Sequence, residues 1–147
     1  MLMPDVNVLV YAHREDTAHH QRNADWIRAV ATGEAPFALS ELVISGFVRV
    51  VTNRRIFREP STLAIAFEFV DQLLGRPVCR RVRPGPRHLP IFTDLCRATG
   101  AAGGLVADAY HAALAIEHGC TWVTNDTDFA LFEGLSWGTP ELENEAT

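Results

Sequence analysis

The chain has 147 residues, 48% apolar and 21% charged, the balance of one globular domain large enough to bury a core without staples. Its apolar runs are a handful of residues each, far short of the roughly 20 a membrane-spanning helix needs. The net charge is −5 and all 13 basic residues are arginine, which excludes P-loop nucleotide hydrolases, Schiff-base and pyridoxal enzymes and receiver domains, all of which need a lysine.

In chain order, residues 1–4 (MLMP) predict a short strand, and the apolar run VNVLVYA behind Asp5 either continues it or opens a helix. The opening has no basic run ahead of Pro4 and Asp5, so it does not read as a secretion signal. Residues 18–31 carry Ala24, Ile27 and Ala31 at helical spacing, and PFAL (36–39) predicts a second strand. Ser40 is placed to cap a helix over 41–52, and Ser61 another over 61–74. A third strand is expected at 78–82, then a Pro/Gly turn at 84–86 and a helix over 88–99 that ends at Gly100. The helix over 105–118 stops at Gly119, CTWVTN (120–125) reads as a strand, NDTDF as a polar loop, and 135–137 as an edge strand. Strands alternating with helices of ten or more residues predict an α/β fold with three layers, a central parallel sheet of four to five strands flanked by helices. One domain over 1–140 and a short acidic tail over 141–147 account for the chain. Cys79, Cys96 and Cys120 are odd in number and widely spaced, as suits a reducing cytoplasm.

The informative residues are acids in apolar surroundings: Asp5 between MLMP and VNVLVYA, Glu41 opening an apolar helix, Asp108 in LVADAYHAALAI, and Asp126 and Asp128 behind CTWVTN. Each has an ordinary explanation as a cap, a first-turn acid or a turn residue. In an open parallel sheet, however, the ends of strands and the starts of following helices gather on one edge. Like charges gathered there raise one another's pKa unless a cation sits among them. Oxygen donors without His or Cys favour a hard ion, Mg²⁺ or Mn²⁺, over zinc.

Four blocks carry a family resemblance: PDVNVLVYAH, SELVISGFVRVVTN, VADAYHAALAIEHG and WVTNDTDF. In that order and at those spacings the sequence resembles the PIN-domain ribonucleases, and most closely the VapC-type toxins of bacterial toxin–antitoxin pairs. The resemblance spans nearly the whole chain. It implies a PIN-like fold and divalent-metal-dependent endoribonuclease activity, by two-metal hydrolysis, on a structured RNA such as a tRNA or rRNA loop. It implies Asp5, Glu41, Asp108 and Asp126 as catalytic carboxylates, with Asp128 as a further metal ligand and Asn7 and Thr124 in support. Two divalent ions could activate a water and stabilise the leaving oxygen. It also implies a VapB-type antitoxin that covers the site, and a homodimer; the apolar segments 42–51 and 63–74 are candidate docking faces. The alternatives are a PIN nuclease of housekeeping RNA or DNA processing, and a non-catalytic PIN-like module that binds RNA or partners.

RNA contact is expected from Arg49, Arg54 and Arg55, on or just past the helix that Glu41 opens, although a solvated helix end explains them equally well. A second basic cluster comprises Arg76, Arg80, Arg81, Arg83 and Arg87. His111 and the three tryptophans are expected to pack rather than touch substrate. The G-x-S-x-G match at 134–138 lacks the helix and the following His of a hydrolase elbow and is set aside.

Overall fold

A computed structural model describes residues 1–142; the remainder of the acidic tail, with Glu143 and Glu145, lies outside the described residues. Five parallel strands form the sheet: β1 (Leu2–Pro4), β2 (Phe37–Ser40), β3 (Cys79–Val82), β4 (Thr121–Val123) and β5 (Trp137–Gly138). Their spatial order is β3-β2-β1-β4-β5. Six helices connect them: α1 (Val6–His13), α2 (His20–Thr32), α3 (Glu41–Val51), α4 (Leu63–Leu74), α5 (His88–Thr99) and α6 (Gly104–Glu117). The expected three-layer α/β architecture is present. Its layers follow from the strand order. The chain steps from β1 to β2 to β3 in one direction and then returns past β1 to β4, and right-handed crossovers put the two sets of helices on opposite faces. Accordingly α1 packs with α2 and α3, and α3 with α4, while α5 pairs with α6.

Local chemistry sets the element boundaries. Asp5 ends β1 and caps α1, its Oδ1 accepting from the Val6 N–H at 2.6 Å, so the run VNVLVYA is a helix and not a longer strand. Ser40 caps α3 as expected, accepting from the Val43 N–H. The cap of α4 is Thr62 rather than Ser61. Ser61 is drawn elsewhere: its Oγ meets His13 Nε2 at 2.9 Å and accepts from Arg14 Nη1 at 3.2 Å. The NDTDF segment is not wholly loop, since Thr127–Leu131 forms a 3₁₀ turn behind Asp126. The last strand is shifted to Trp137–Gly138 and pairs parallel with β4.

The core is built on Met3, Leu9, Phe37, Leu39, Phe47, Trp122 and Phe129, all at most 2% exposed. Gly46 allows α3 to lie close against α1, because a Cβ there would meet Val6 Cγ2 at 2.8 Å. Glu117 is a buried acid of purely structural use. Its carboxylate accepts from the Gly85 and Arg87 N–H groups and holds the turn that enters α5.

The reversal of strand order falls between β1 and β4, the place in an open parallel sheet where loops diverge and leave a crevice at the carboxyl ends of the strands. Asp5 follows β1 and Asp126 follows β4.

Candidate metal centre

A cavity of about 320 Å³ opens at this crevice and is lined in part by Asp5, Asn7, Asp108 and Asp126. Asp5 comes from the β1–α1 junction, Asn7 from the first turn of α1, Asp108 from the second turn of α6 and Asp126 from the loop after β4. Three segments distant in sequence therefore supply one site.

Asp5 is the most constrained of the acids. It is 7% exposed, and burial pushes its carboxyl up to about 6, opposed by the hydrogen bonds from Thr124 and Val6 and reinforced by the charges of Asp108 and Asp126. Its Oδ2 accepts from Thr124 Oγ1 at 2.7 Å and from Asn7 Nδ2 at 3.2 Å. Thr124, fully buried, also accepts from Asn7 Nδ2 and from the Asp126 N–H at 3.0 Å. One hydroxyl thus orients both Asp5 and the loop that carries Asp126. Asp108 is half-buried, and its carboxyl is raised first by that burial and then by Asp126 and Asp128. Asp128 is exposed, donates its N–H to Asp126 Oδ1 at 2.9 Å, and acts on Asp108 through its charge.

Glu41 does not join this group. It stands at the carboxyl edge of the sheet, as expected, but its carboxylate turns toward β3 and accepts from Arg83 Nη2 at 2.8 Å and from Arg81 Nη2 at 3.4 Å. It lines a separate depression with Ser45, Val82, Arg83 and Tyr110. The cause is the first-turn position on α3, on the side of β2 away from β1, where two guanidiniums offer the nearest counter-charge.

The donor chemistry fits a hard divalent cation. Carboxylates from three segments line one cavity, Asp5 and Asp108 raised first by burial and further by neighbouring acids; such a group gains from a cation among them, and its all-oxygen character matches Mg²⁺ or Mn²⁺. Among the described residues no three carboxylate, imidazole or thiol groups lie close enough together to hold a metal ion between them. An open arrangement suits Mg²⁺, which keeps several waters and takes only one or two carboxylates directly.

A polar network behind the site escapes any reading of the sequence. Asn125 donates through its backbone N–H and Nδ2 to Asn7 Oδ1, both at 3.1 Å, and through Nδ2 to Asn23 Oδ1 at 2.9 Å. Asn23 is fully buried on α2 and donates to the His19 carbonyl. Arg22 donates to Asn125 Oδ1 at 2.9 Å. Asn125 of the β4 loop, itself bonded to Asn23 of α2, thereby fixes Asn7 of α1, and through it Asp5. The one available signal was an Asn within the apolar stripe of α2.

The remaining expectations divide. His111 is buried and stacked on Trp122, ring centroids 5.1 Å apart, and burial lowers it to about 4. Trp26 and Trp122 belong to the core and Trp137 is half-buried. Ser136 only flanks β5, its hydroxyl 3.2 Å from that of Thr121. Arg49 lies exposed in the last turn of α3. Arg54 and Arg55 are exposed in the segment just beyond it, adjoining Ile56 and Phe57, which line the cavity.

A model of the PIN domain matches residues 2–135. Ribonuclease VapC43 of Mycobacterium tuberculosis is 44% identical over 140 residues, covering 95% of this chain and 95% of that protein. Among solved structures, VapBC2 from Rickettsia felis, bound to a DNA fragment from its promoter, superposes with a TM-score of 0.69 at 19% identity, covering 94% of this chain and 97% of that one. Mycobacterium tuberculosis VapC20, described as a Sarcin-Ricin loop cleaving toxin, superposes at 0.63 with 18% identity, covering 92% and 99%.

Proposed function

From the premise that this chain belongs to the PIN domain family, and within it to the VapC ribonucleases, we propose that it is the toxin of a toxin–antitoxin pair, an endoribonuclease that hydrolyses RNA with the help of divalent cations. The observation that carries the chemistry is the meeting of Asp5, Asp108 and Asp126 on one cavity at the sheet's switch point.

Asp5, Asp108 and Asp126 would hold Mg²⁺, with Mn²⁺ as its substitute, directly or through water. Divalent ions between them would supply an activated water and stabilise the leaving oxygen of the phosphodiester. The protein's own part is to fix the oxygens. Thr124 and Asn7 hold Asp5 in one orientation, and Asp128 steadies Asp126 through its N–H. Glu41, satisfied by Arg81 and Arg83, stands outside this ligand set. Arg49, Arg54 and Arg55, all exposed, would meet flanking phosphates.

The substrate proposed is a loop of a structured RNA, tRNA or rRNA, by extension from the relatives' activity. The partner proposed is a VapB-type antitoxin, since the Rickettsia felis neighbour is a VapBC complex. Leu63, Ile65 and Phe67 on α4 are 47–60% exposed and support a docking face there for the antitoxin or for a second copy of the chain. No helix among the described residues is long and apolar enough to cross a membrane, and the proposed site of action is the cytoplasm.

The test is incubation of the antitoxin-free protein and Asp5→Asn with total bacterial RNA, with Mg²⁺, Mn²⁺ or EDTA, and sequencing of the new 5′ ends. Discrete cuts that require metal and Asp5 support the reading. Cuts that persist in EDTA or in Asp5→Asn overturn it.

A further inference from the structure

The carboxylates make up only part of the lining of their cavity. Most of the rest is apolar or aromatic and includes Tyr11, Val50, Ile56, Phe57 and Phe129. Hydration of divalent cations needs no such wall, and a site for phosphate alone would be polar throughout.

Two of these residues belong to the run Arg54-Arg55-Ile56-Phe57-Arg58, which sets apolar side chains between cationic ones. Ile56 is 52% exposed despite being aliphatic. Arg54, Arg55 and Arg58 are exposed and have no carboxylate partner among the described residues. Free guanidiniums beside apolar faces are what a single-stranded nucleic acid needs: cations for its phosphates and a platform for its bases.

The platform is fixed in advance. The Arg14 guanidinium lies 4.3 Å from the centre of the Phe57 ring. Arg14 is itself held in place, donating two hydrogen bonds to Asp16 and one to Ser61. The loop is closed on itself, with the Ile56 and Phe57 N–H groups donating to the Asn53 carbonyl and Ser61 N–H to that of Val51. A ring held this firmly loses little freedom when a ligand stacks on it.

We propose that the apolar part of the cavity is a nucleobase subsite: it receives one unstacked base of single-stranded or looped RNA, stacked on Phe57 beside Ile56, while the carboxylates address the neighbouring phosphate. The assignment rests on the ribonuclease reading and refines it. At about 320 Å³ the cavity is at the small end of ligand sites and has room for one base. The bases of an A-form duplex stay stacked and cannot enter it. Paired stems are thereby excluded, and loops are selected by shape together with whatever base fits best.

The experiment uses short RNAs carrying 2-aminopurine, an adenine analogue whose fluorescence is quenched by stacking, with Ca²⁺ replacing Mg²⁺. The same label is placed in a single strand and in a fully paired stem. Wild type is expected to quench the single strand at one register and to bind the stem far more weakly. Phe57→Leu, which keeps apolar volume but has no ring, is expected to lose the quench and bind the single strand roughly ten- to a hundredfold more weakly. Phe57→Trp is expected to retain both, and matching thermal melts would show the variants folded. Unchanged quench and affinity in Phe57→Leu would overturn the subsite, as would a stem that binds as tightly as the single strand. RNA bound by wild type without any quench at any register would also overturn it. Metal-dependent cleavage with unaltered cut sites in Phe57→Leu refutes the subsite alone. Absence of cleavage by wild type under Mg²⁺ or Mn²⁺ refutes the nuclease reading on which it rests.

Discussion

Replacing Asp5 by asparagine should make the metal-free protein more stable while destroying its function. The Asp5 carboxyl is pushed from 3.8 up to about 6 by burial, a difference that corresponds to roughly 3 kcal/mol against the ionised form. The folded state binds this proton more tightly than the unfolded state. Its penalty is therefore negligible below pH 3.8, grows as pH rises through about 6, and is complete above that. The Asp5→Asn variant carries no such penalty, but its carboxamide keeps only one of the two acceptor oxygens that now serve Val6, Thr124 and Asn7. One lost hydrogen bond costs about 1 kcal/mol or somewhat more. The net gain at pH 8 is then about 1–2 kcal/mol, which for a domain of this size raises Tm by roughly 3–8 °C. At pH 5 Asp5 is largely protonated when folded, and about half of the penalty has gone. Thermal melts of both proteins at pH 5 and pH 8 in EDTA measure the effect. Adding Mn²⁺ at pH 8 should raise the Tm of wild type and leave Asp5→Asn unmoved. A variant that is less stable than wild type by the same margin at both pH values would refute the reasoning, because Asp5 would then be a structural cap and nothing more.

Asp108→Asn should weaken Mn²⁺ binding at least about tenfold, whereas Glu41→Gln, which breaks only exposed ion pairs, should leave it within about twofold and change stability by less than about 1 kcal/mol; calorimetric titration separates the two. Thr124→Val removes a fully buried hydroxyl that serves Asp5, Asn7 and Asp126, and should cost about 1–3 kcal/mol in a denaturant titration and slow cleavage. Asn23→Leu leaves Asn125 without its partner on α2. A loss of about 1–3 kcal/mol is expected, together with a fall in kcat that Asn23→Gln partly reverses, and unchanged kcat would detach the asparagine network from the site.

The sequence alone determined most of the elements and singled out the acids that line the cavity, because both signals are local. Caps such as Asp5 and Ser40 act on N–H groups one to three residues away, and helical stripes repeat within a turn or two, so they can be read along the chain. The acids also stood out locally, as charges within apolar runs. What lay beyond reach were side-chain directions set by distant partners. Ser61 was free to cap α4 until the fold brought His13 to it, 48 positions earlier. Asn23 reads as a polar slip in an apolar stripe until Asn125 arrives from 102 positions away. Glu41 stands on the same sheet edge as Asp5, yet the arginines at the end of β3, 40 and 42 positions later, turn its carboxylate away from the cavity. Position along the chain assigns a residue to an edge of the sheet; the direction in which a charge then points is an electrostatic contest among neighbours that only the tertiary structure assembles.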